Sequence, residues 1–151
     1  MVLMIDDIVG RIIEKLQEKG VYDNTVFIFT SDNGSCQNFP EEGHSSNYMY
    51  RGMKSDIWDG GHRIPFIVRY PELIEKGTKC RQTVCLTDIM ATFAELLGIE
   101  LKDNEGEDSV SNLSLWKGDD SPVRNATVHS SGKGNFAIRK GKWKLIMCAG
   151  S

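Results

Sequence analysis

No stretch of the chain reaches about 18 consecutive apolar residues, so nothing in it reads as a membrane-spanning helix. A basic excess is missing as well. Eighteen Lys and Arg face 21 Asp and Glu, giving a net charge of −3 and a pI near 5.6. That balance argues against nucleic acid as a partner. Met1-Val2-Leu3-Met4-Ile5-Asp6-Asp7 has neither the basic start nor the apolar length of a signal peptide. The expectation is either a cytosolic protein or a chain whose true N-terminus lies further upstream. The four cysteines, Cys36, Cys80, Cys85 and Cys148, show no C-x-x-C spacing, so a zinc site is not expected. As disulfides they could pair in three ways, and the sequence does not choose among them. There is no internal repeat and no low-complexity tract.

What is present is ordinary globular material, 40% apolar and 26% charged over 151 residues. This length suits one domain, or one domain with a small appendage. A globule of this size buries about 68–70% of the surface its unfolded chain exposes, enough for a core.

Hydrophobic periodicity sets out the elements. Ile5, Ile8, Val9, Ile12, Ile13 and Leu16 share one face at helical spacing, and Gly20 after Lys19 stops the helix. Thr25-Val26-Phe27-Ile28-Phe29-Thr30 is apolar through its middle, β-branched and aromatic, without alternation. That pattern predicts a strand covered on both faces, as in a parallel sheet. It ends at Ser31-Asp32-Asn33-Gly34, the kind of strand end where open α/β sheets hold ligands. Residues 35–61 read as a long loop, and long loops inside compact domains are commonly functional. Pro65 to Tyr70 is a second strand. Leu86 to Leu97 is a second helix, capped by Thr87 or Asp88 and ended by Gly98.

The division expected is 1–99 for the α/β part, 100–120 for an acidic, polar linker and 121–151 for a small antiparallel unit. In the last part, Ala126 to His129 is a strand. Phe136–Arg139 and Lys142–Met147 alternate apolar and polar around Lys140-Gly141, a hairpin with one wet face.

Two clusters carry chemistry. Asp32 and Asn33 place a carboxylate and an amide oxygen side by side, both hard donors suited to calcium or magnesium. The same triplet with Gly34 is also plain turn chemistry. Further on, Arg51, Lys54 and Arg63 crowd one stretch, with His62 able to join them at lower pH. A mobile lysine is a good point-charge partner for a tetrahedral oxyanion. Taken alone, such a cluster is also an ordinary solvated surface.

Their order is more specific than either cluster. Strand, Asp32-Asn33-Gly34, long loop, Arg51-Gly52-Met53-Lys54, Gly60-Gly61-His62-Arg63-Ile64-Pro65, then strand, resembles the sulfatase family of the alkaline-phosphatase-like superfamily. The helix from Thr87 to Thr92 and the tail Phe136-Ala137-Ile138-Arg139-Lys140-Gly141-Lys142-Trp143-Lys144-Leu145 match the same pattern. The resemblance covers nearly the whole chain. It implies a partial alkaline-phosphatase-like parallel sheet with flanking helices and a small C-terminal antiparallel hairpin unit.

By the resemblance, Asp32 and Asn33 are ligands of a divalent metal, usually calcium, and Lys54 holds the sulfate. His129 comes near the substrate with the C-terminal unit, and His44, in the long loop, could touch it. Gly60, Gly61 and Arg63 form a structural turn without a catalytic role. The family's nucleophile is a formylglycine made in a C-x-P-S-R-type motif, and none of the four cysteines sits in one. The early pair of metal-binding aspartates is absent as well, since Asp6-Asp7 falls inside a helical pattern. The chain therefore reads as the C-terminal segment of a sulfatase, inactive alone and binding calcium weakly or not at all, because calcium takes six to eight oxygens. Its open sheet edges favour self-association. The expected substrate of the intact enzyme is a sulfated small molecule or glycan. By family analogy its location is periplasmic, secreted or lysosomal. Two alternatives stand beside this reading: a phosphodiesterase or phosphonate hydrolase of the same superfamily, and a non-catalytic remnant serving as a binding module.

Overall fold

The computed structural model describes residues 2–37 and 43–148. Helix α1, Val2–Glu18, forms where the periodicity places it. Gly20, at a φ of 68°, closes it: its N–H donates to the Gln17 carbonyl, and the Val21 N–H donates to the Leu16 carbonyl. This paired closure requires the left-handed backbone that glycine adopts freely. The apolar stripe of α1 is partly uncovered: Ile5, Ile8 and Ile12 are exposed, whereas Val9, Ile13 and Leu16 are half-buried.

Strand β1, Phe27–Thr30, pairs with β2, Phe66–Arg69. The pairing is antiparallel, with Phe27 opposite Arg69 and Thr30 opposite Phe66. The parallel arrangement expected of these two strands is thus corrected for this pair. A continuous apolar run reports cover on both faces and says nothing of direction. Direction follows from the excursion over residues 31–65, which returns the chain beside the end of β1. There the Thr30 hydroxyl donates to the Pro65 carbonyl at 2.8 Å. At the far end Arg69 stacks 3.5 Å over the Tyr22 ring and donates to the Tyr22 carbonyl and the Asp23 carboxylate. The polar residues after β1 and the short helix α2, Asp59–His62, consequently lie at one edge of the pair.

Helix α3, Asp88–Leu96, is anchored by a buried carboxylate. Thr87 stands at its N-cap without a side-chain hydrogen bond. Asp88, fully buried, accepts from the Cys85 and Val110 N–H groups and pairs with Arg124. The Thr92 hydroxyl donates to the Asp88 carbonyl and accepts from the Asn112 N–H. Within the stretch expected as a linker lies helix α4, Leu113–Trp116. Its Leu113, Leu115 and Trp116 are buried, and Trp116 meets Phe93 edge to face at 6.3 Å between ring centroids. An acidic composition hid this turn, because only three residues of it carry the apolar signal.

The C-terminal unit is an antiparallel sheet of β3 (Thr127–Ser130), β4 (Phe136–Lys140) and β5 (Trp143–Ile146), in that order. The alternation predicted for the hairpin is present, but its faces are reversed. Ala137, Arg139, Lys144 and Ile146 turn inward, whereas Phe136, Ile138, Trp143 and Leu145 are exposed. The charged face is the covered one because a carboxylate waits beneath it, as described below.

Removing one charge from the buried Asp88–Arg124 pair leaves an uncompensated cation, which typically costs about 3–5 kcal/mol. Asp88→Asn is expected to lower the urea midpoint of unfolding by a corresponding amount. A midpoint shifted by under about 1 kcal/mol in equivalent free energy would contradict the anchoring role.

Candidate functional site

The polar tip after β1 is held by backbone contacts so close that only glycine fits. The Gly34 N–H donates to the Gly61 carbonyl at 3.0 Å, and the Gly60 N–H donates to the Arg51 carbonyl at 2.7 Å. A methyl group on Gly34 would sit 1.7 Å from the Gly60 carbonyl oxygen, and one on Gly60 would sit 2.1 Å from that of Gly52. Such separations exclude any side chain without a backbone shift. Asn47 adds a strap: its amide oxygen accepts from the Ser35 N–H, and its amide nitrogen donates to the Gly52 carbonyl. The loop segments around residues 34, 52 and 60 are therefore one fixed unit.

This unit brings the backbone of Lys54 next to the Asp32-Asn33 tip. The Lys54 N–H donates to the Ser35 carbonyl at 2.9 Å, three residues after Asp32. The Asn33 amide nitrogen donates to the Gly34 carbonyl at 2.8 Å, which directs its amide oxygen away from the backbone. The Asp32 carboxylate and the Lys54 ammonium are both exposed and have no hydrogen-bond or ion-pair partner among the described residues. The tip thus offers two hard oxygens and one cation in the same loop cluster. No group of three or more His, Cys, Asp or Glu that could hold a metal occurs among the described residues. His44 is exposed and makes no hydrogen bond or ion pair among them.

A second cluster, at α2, joins the two halves of the chain. Asp59 pairs with Arg139 from β4, with Lys144 from β5 at 3.1 Å and with Arg63 at 3.5 Å. Lys144 also donates to the Ile57 carbonyl at 2.6 Å. Burial alone would raise the Asp59 carboxyl, but the hydrogen bonds and charges of Arg139 and Lys144 hold it below the usual carboxylate value. The His62 and His129 rings lie 4.7 Å apart, centroid to centroid. The His129 Nε2 is 2.9 Å from the Thr127 hydroxyl, and the His62 Nε2 is buried without a hydrogen-bond partner. Burial, with Lys144 second, lowers the His62 pKa. His129 falls to about 4, through burial first and then the positive charge of His62, Lys144 and Arg139. His129, expected near the substrate, sits against His62.

Sequence reading did not find Asp59, Arg139 or Lys144 as a set. The usable signal was the inward parity of the hairpin: Arg139 shares its face with fully buried Ala137, and Lys144 shares its face with Ile146.

The His129 shift makes a pH prediction. In the unfolded chain this ring takes up a proton near its ordinary value of 6.5, whereas in the fold it does so only near 4. The unfolded state then binds more protons between these values, so stability falls as the pH drops through that window. Urea midpoints measured at pH 7 and pH 5 should diverge less in His129→Gln than in the parent. Equal divergence would refute the assignment.

Comparison with known proteins follows the same segments. The sulfatase family model matches residues 1–99. An N-acetylgalactosamine-6-O-sulfatase of Bacteroides thetaiotaomicron is 36% identical over 97% of this chain, and an arylsulfatase of Hemicentrotus pulcherrimus is 38% identical over 94%. This chain spans 30% and 25% of those two proteins. A solved Bacteroides thetaiotaomicron protein of glycosaminoglycan metabolism superposes with a TM-score of 0.86, at 35% identity, over 96% of this chain and 32% of its own. A second solved structure, in complex with its substrate D-glucosamine-2-N,6-O-disulfate, superposes with a TM-score of 0.78 at 26% identity, over 96% of this chain and 29% of its own.

Proposed function

This chain belongs to the sulfatase family, and on that premise we propose that it supplies part of the active site of an enzyme hydrolysing sulfate esters of glycans. The fold is the α/β fold of the alkaline-phosphatase-like sulfatases. One observation carries the assignment of roles: the glycine-packed loop unit sets Lys54 beside the Asp32-Asn33 tip. The glycan part of the reading draws on the sulfated sugar bound by one solved relative and the glycosaminoglycan metabolism of another.

In this reading the Lys54 ammonium binds the sulfate oxygens and stabilises the charge that develops on them, an electrostatic contribution made by a group already in place. The donor set at Asp32 and Asn33 fits a hard divalent cation such as calcium, because both side chains keep an oxygen uncommitted. A bound cation would polarise the sulfate and lower the barrier to attack at sulfur. Two oxygens make only part of a calcium shell, so the remaining ligands and the formylglycine nucleophile belong to segments outside these 151 residues. The chain by itself is inactive in this reading.

Grafting these residues in place of the matching segment of the Bacteroides N-acetylgalactosamine-6-O-sulfatase tests the reading. The chimera is expected to hydrolyse an aryl sulfate. Lys54→Ala and Asp32→Ala in it are each expected to lose about 10²–10³ in kcat, the usual cost of one charge-stabilising group. The ungrafted chain should show no turnover. A chimera that folds and keeps full activity in both variants, or turnover by the ungrafted chain, would overturn the proposal.

The uncovered apolar faces of α1 and of the β4–β5 hairpin also lead to self-association of the isolated chain. Sedimentation velocity should show a concentration-dependent increase in mass. Leu3→Lys with Ile8→Lys should move it toward the monomer, and a monomer at every concentration would dismiss the idea.

A further inference from the structure

Beside the Asp32–Lys54 tip lies a cavity of about 760 Å³, bounded by the loop around Tyr48 and Tyr50, by α2, by the segment before α3 and by the C-terminal hairpin. This volume is in the range of small-ligand sites. Its charge is one-sided. Among the described residues, Arg63, Arg81, Arg139 and Lys142 line it against one carboxylate, Asp59. That carboxylate is already engaged by Arg139, Lys144 and Arg63. The cavity therefore keeps an unbalanced positive charge, and its low-dielectric walls concentrate the resulting field.

Three further observations point to a ligand. His62 lines the cavity and keeps a buried Nε2 without a hydrogen-bond partner among the described residues, an arrangement that native structures rarely leave unused. Tyr48 lines it too, 77% exposed and held at a positive φ of 55°. A non-glycine residue in that region is strained, and such strain is retained mainly at functional positions. Tyr50 carries the Arg63 guanidinium 4.3 Å from its ring centroid and accepts a hydrogen bond from it at 2.9 Å, which fixes the guanidinium at the cavity wall. The strap residue Asn47, bonded to Ser35 and Gly52, also lines the cavity, so the cavity and the Asp32–Lys54 tip share a wall.

We propose that this cavity is a second anion subsite, which takes another acidic group of the same glycan, a uronic carboxylate or a further sulfate, while Lys54 holds the sulfate to be removed. Arg63, Arg81 and Lys142 supply the charge, the His62 ring supplies a hydrogen-bonding group, and Tyr48 supplies an apolar ring face for the sugar. The proposal rests on the glycan-sulfatase reading for its choice of ligand, but its test does not depend on turnover.

The test uses the full 151-residue chain and the ring signals of its three histidines in nuclear magnetic resonance spectra. Glucuronic acid, glucose 6-sulfate, inorganic sulfate and glucose are titrated at constant ionic strength and at pH 7. Glucuronic acid, glucose 6-sulfate or both are expected to shift His62 and His129 saturably, leaving exposed His44 in place. Which of them binds more tightly identifies the acidic group. Glucose is expected to shift none of the three. Arg81→Ala with Lys142→Ala, both exposed positions, should weaken binding about tenfold, in keeping with charged hydrogen bonds. Arg63→Lys provides an independent variant with the charge retained and the fixed fork lost, and should weaken binding less. The proposal is overturned if neither acidic sugar gives a saturable shift, if glucose shifts the pair equally, if inorganic sulfate alone matches the sugars, or if the double variant binds as tightly as the parent. Hydrolysis by the chimera without binding here would sink the subsite alone, whereas binding here with an inactive chimera would sink the sulfatase reading alone.

Discussion

Asp59 is one carboxylate receiving three cations from three places in the chain: Arg63 one turn away, Arg139 on β4 and Lys144 on β5. The contacts with β4 and β5 span 80 and 85 residues of sequence. They decide how the C-terminal sheet meets the α/β part. Without a partly buried anion at this point, the inward face of the hairpin would carry two unpaired charges into the interface, at a cost of several kcal/mol per ion. With it, the charged face is the one that can be covered, and the apolar face of Phe136, Ile138, Trp143 and Leu145 is left outside. The packing direction of a three-stranded sheet thus follows from one side chain.

The same carboxylate stands at the start of α2, whose next two residues are the glycines that clasp the Asp32-Asn33 tip. Asp59, Gly60 and Gly61 therefore tie two jobs together. The carboxylate fixes the C-terminal unit, and the glycines let backbones approach closely enough to align Gly34 and, through Ser35, Lys54. A polar tip on a strand end is mobile unless its neighbours hold it. Here the hold is almost entirely backbone to backbone, which leaves the Asp32 and Lys54 side chains uncommitted. Uncommitted polar groups on a rigid frame are what electrostatic catalysis requires, since the frame bears the ordering in advance of the reaction.

The surplus of positive charge has a further consequence for the histidines. Burial lowers the pKa of both His62 and His129, Lys144 lowers it further at each, and Arg139 adds to this at His129. Neutral rings next to fixed cations can accept or donate a hydrogen bond without adding charge of their own.

Elements with strong local periodicity were legible from residue types alone: α1 from its six-residue apolar stripe, the β1 run from its β-branched and aromatic content, α3, and the β4–β5 hairpin around Gly141. The motif order also pointed to the family, which the family match over residues 1–99 bears out, and the resemblance put forward Asp32, Asn33 and Lys54 as site candidates. What only the tertiary structure decided is direction and partnership. Strand polarity in β1–β2, the buried turn of α4, the reversed faces of the hairpin and the Asp59 cluster all depend on contacts between residues far apart in sequence. Local periodicity records that a face is covered. It carries no information about what covers it, and in this protein a charge, not an apolar surface, does the covering where the two halves meet.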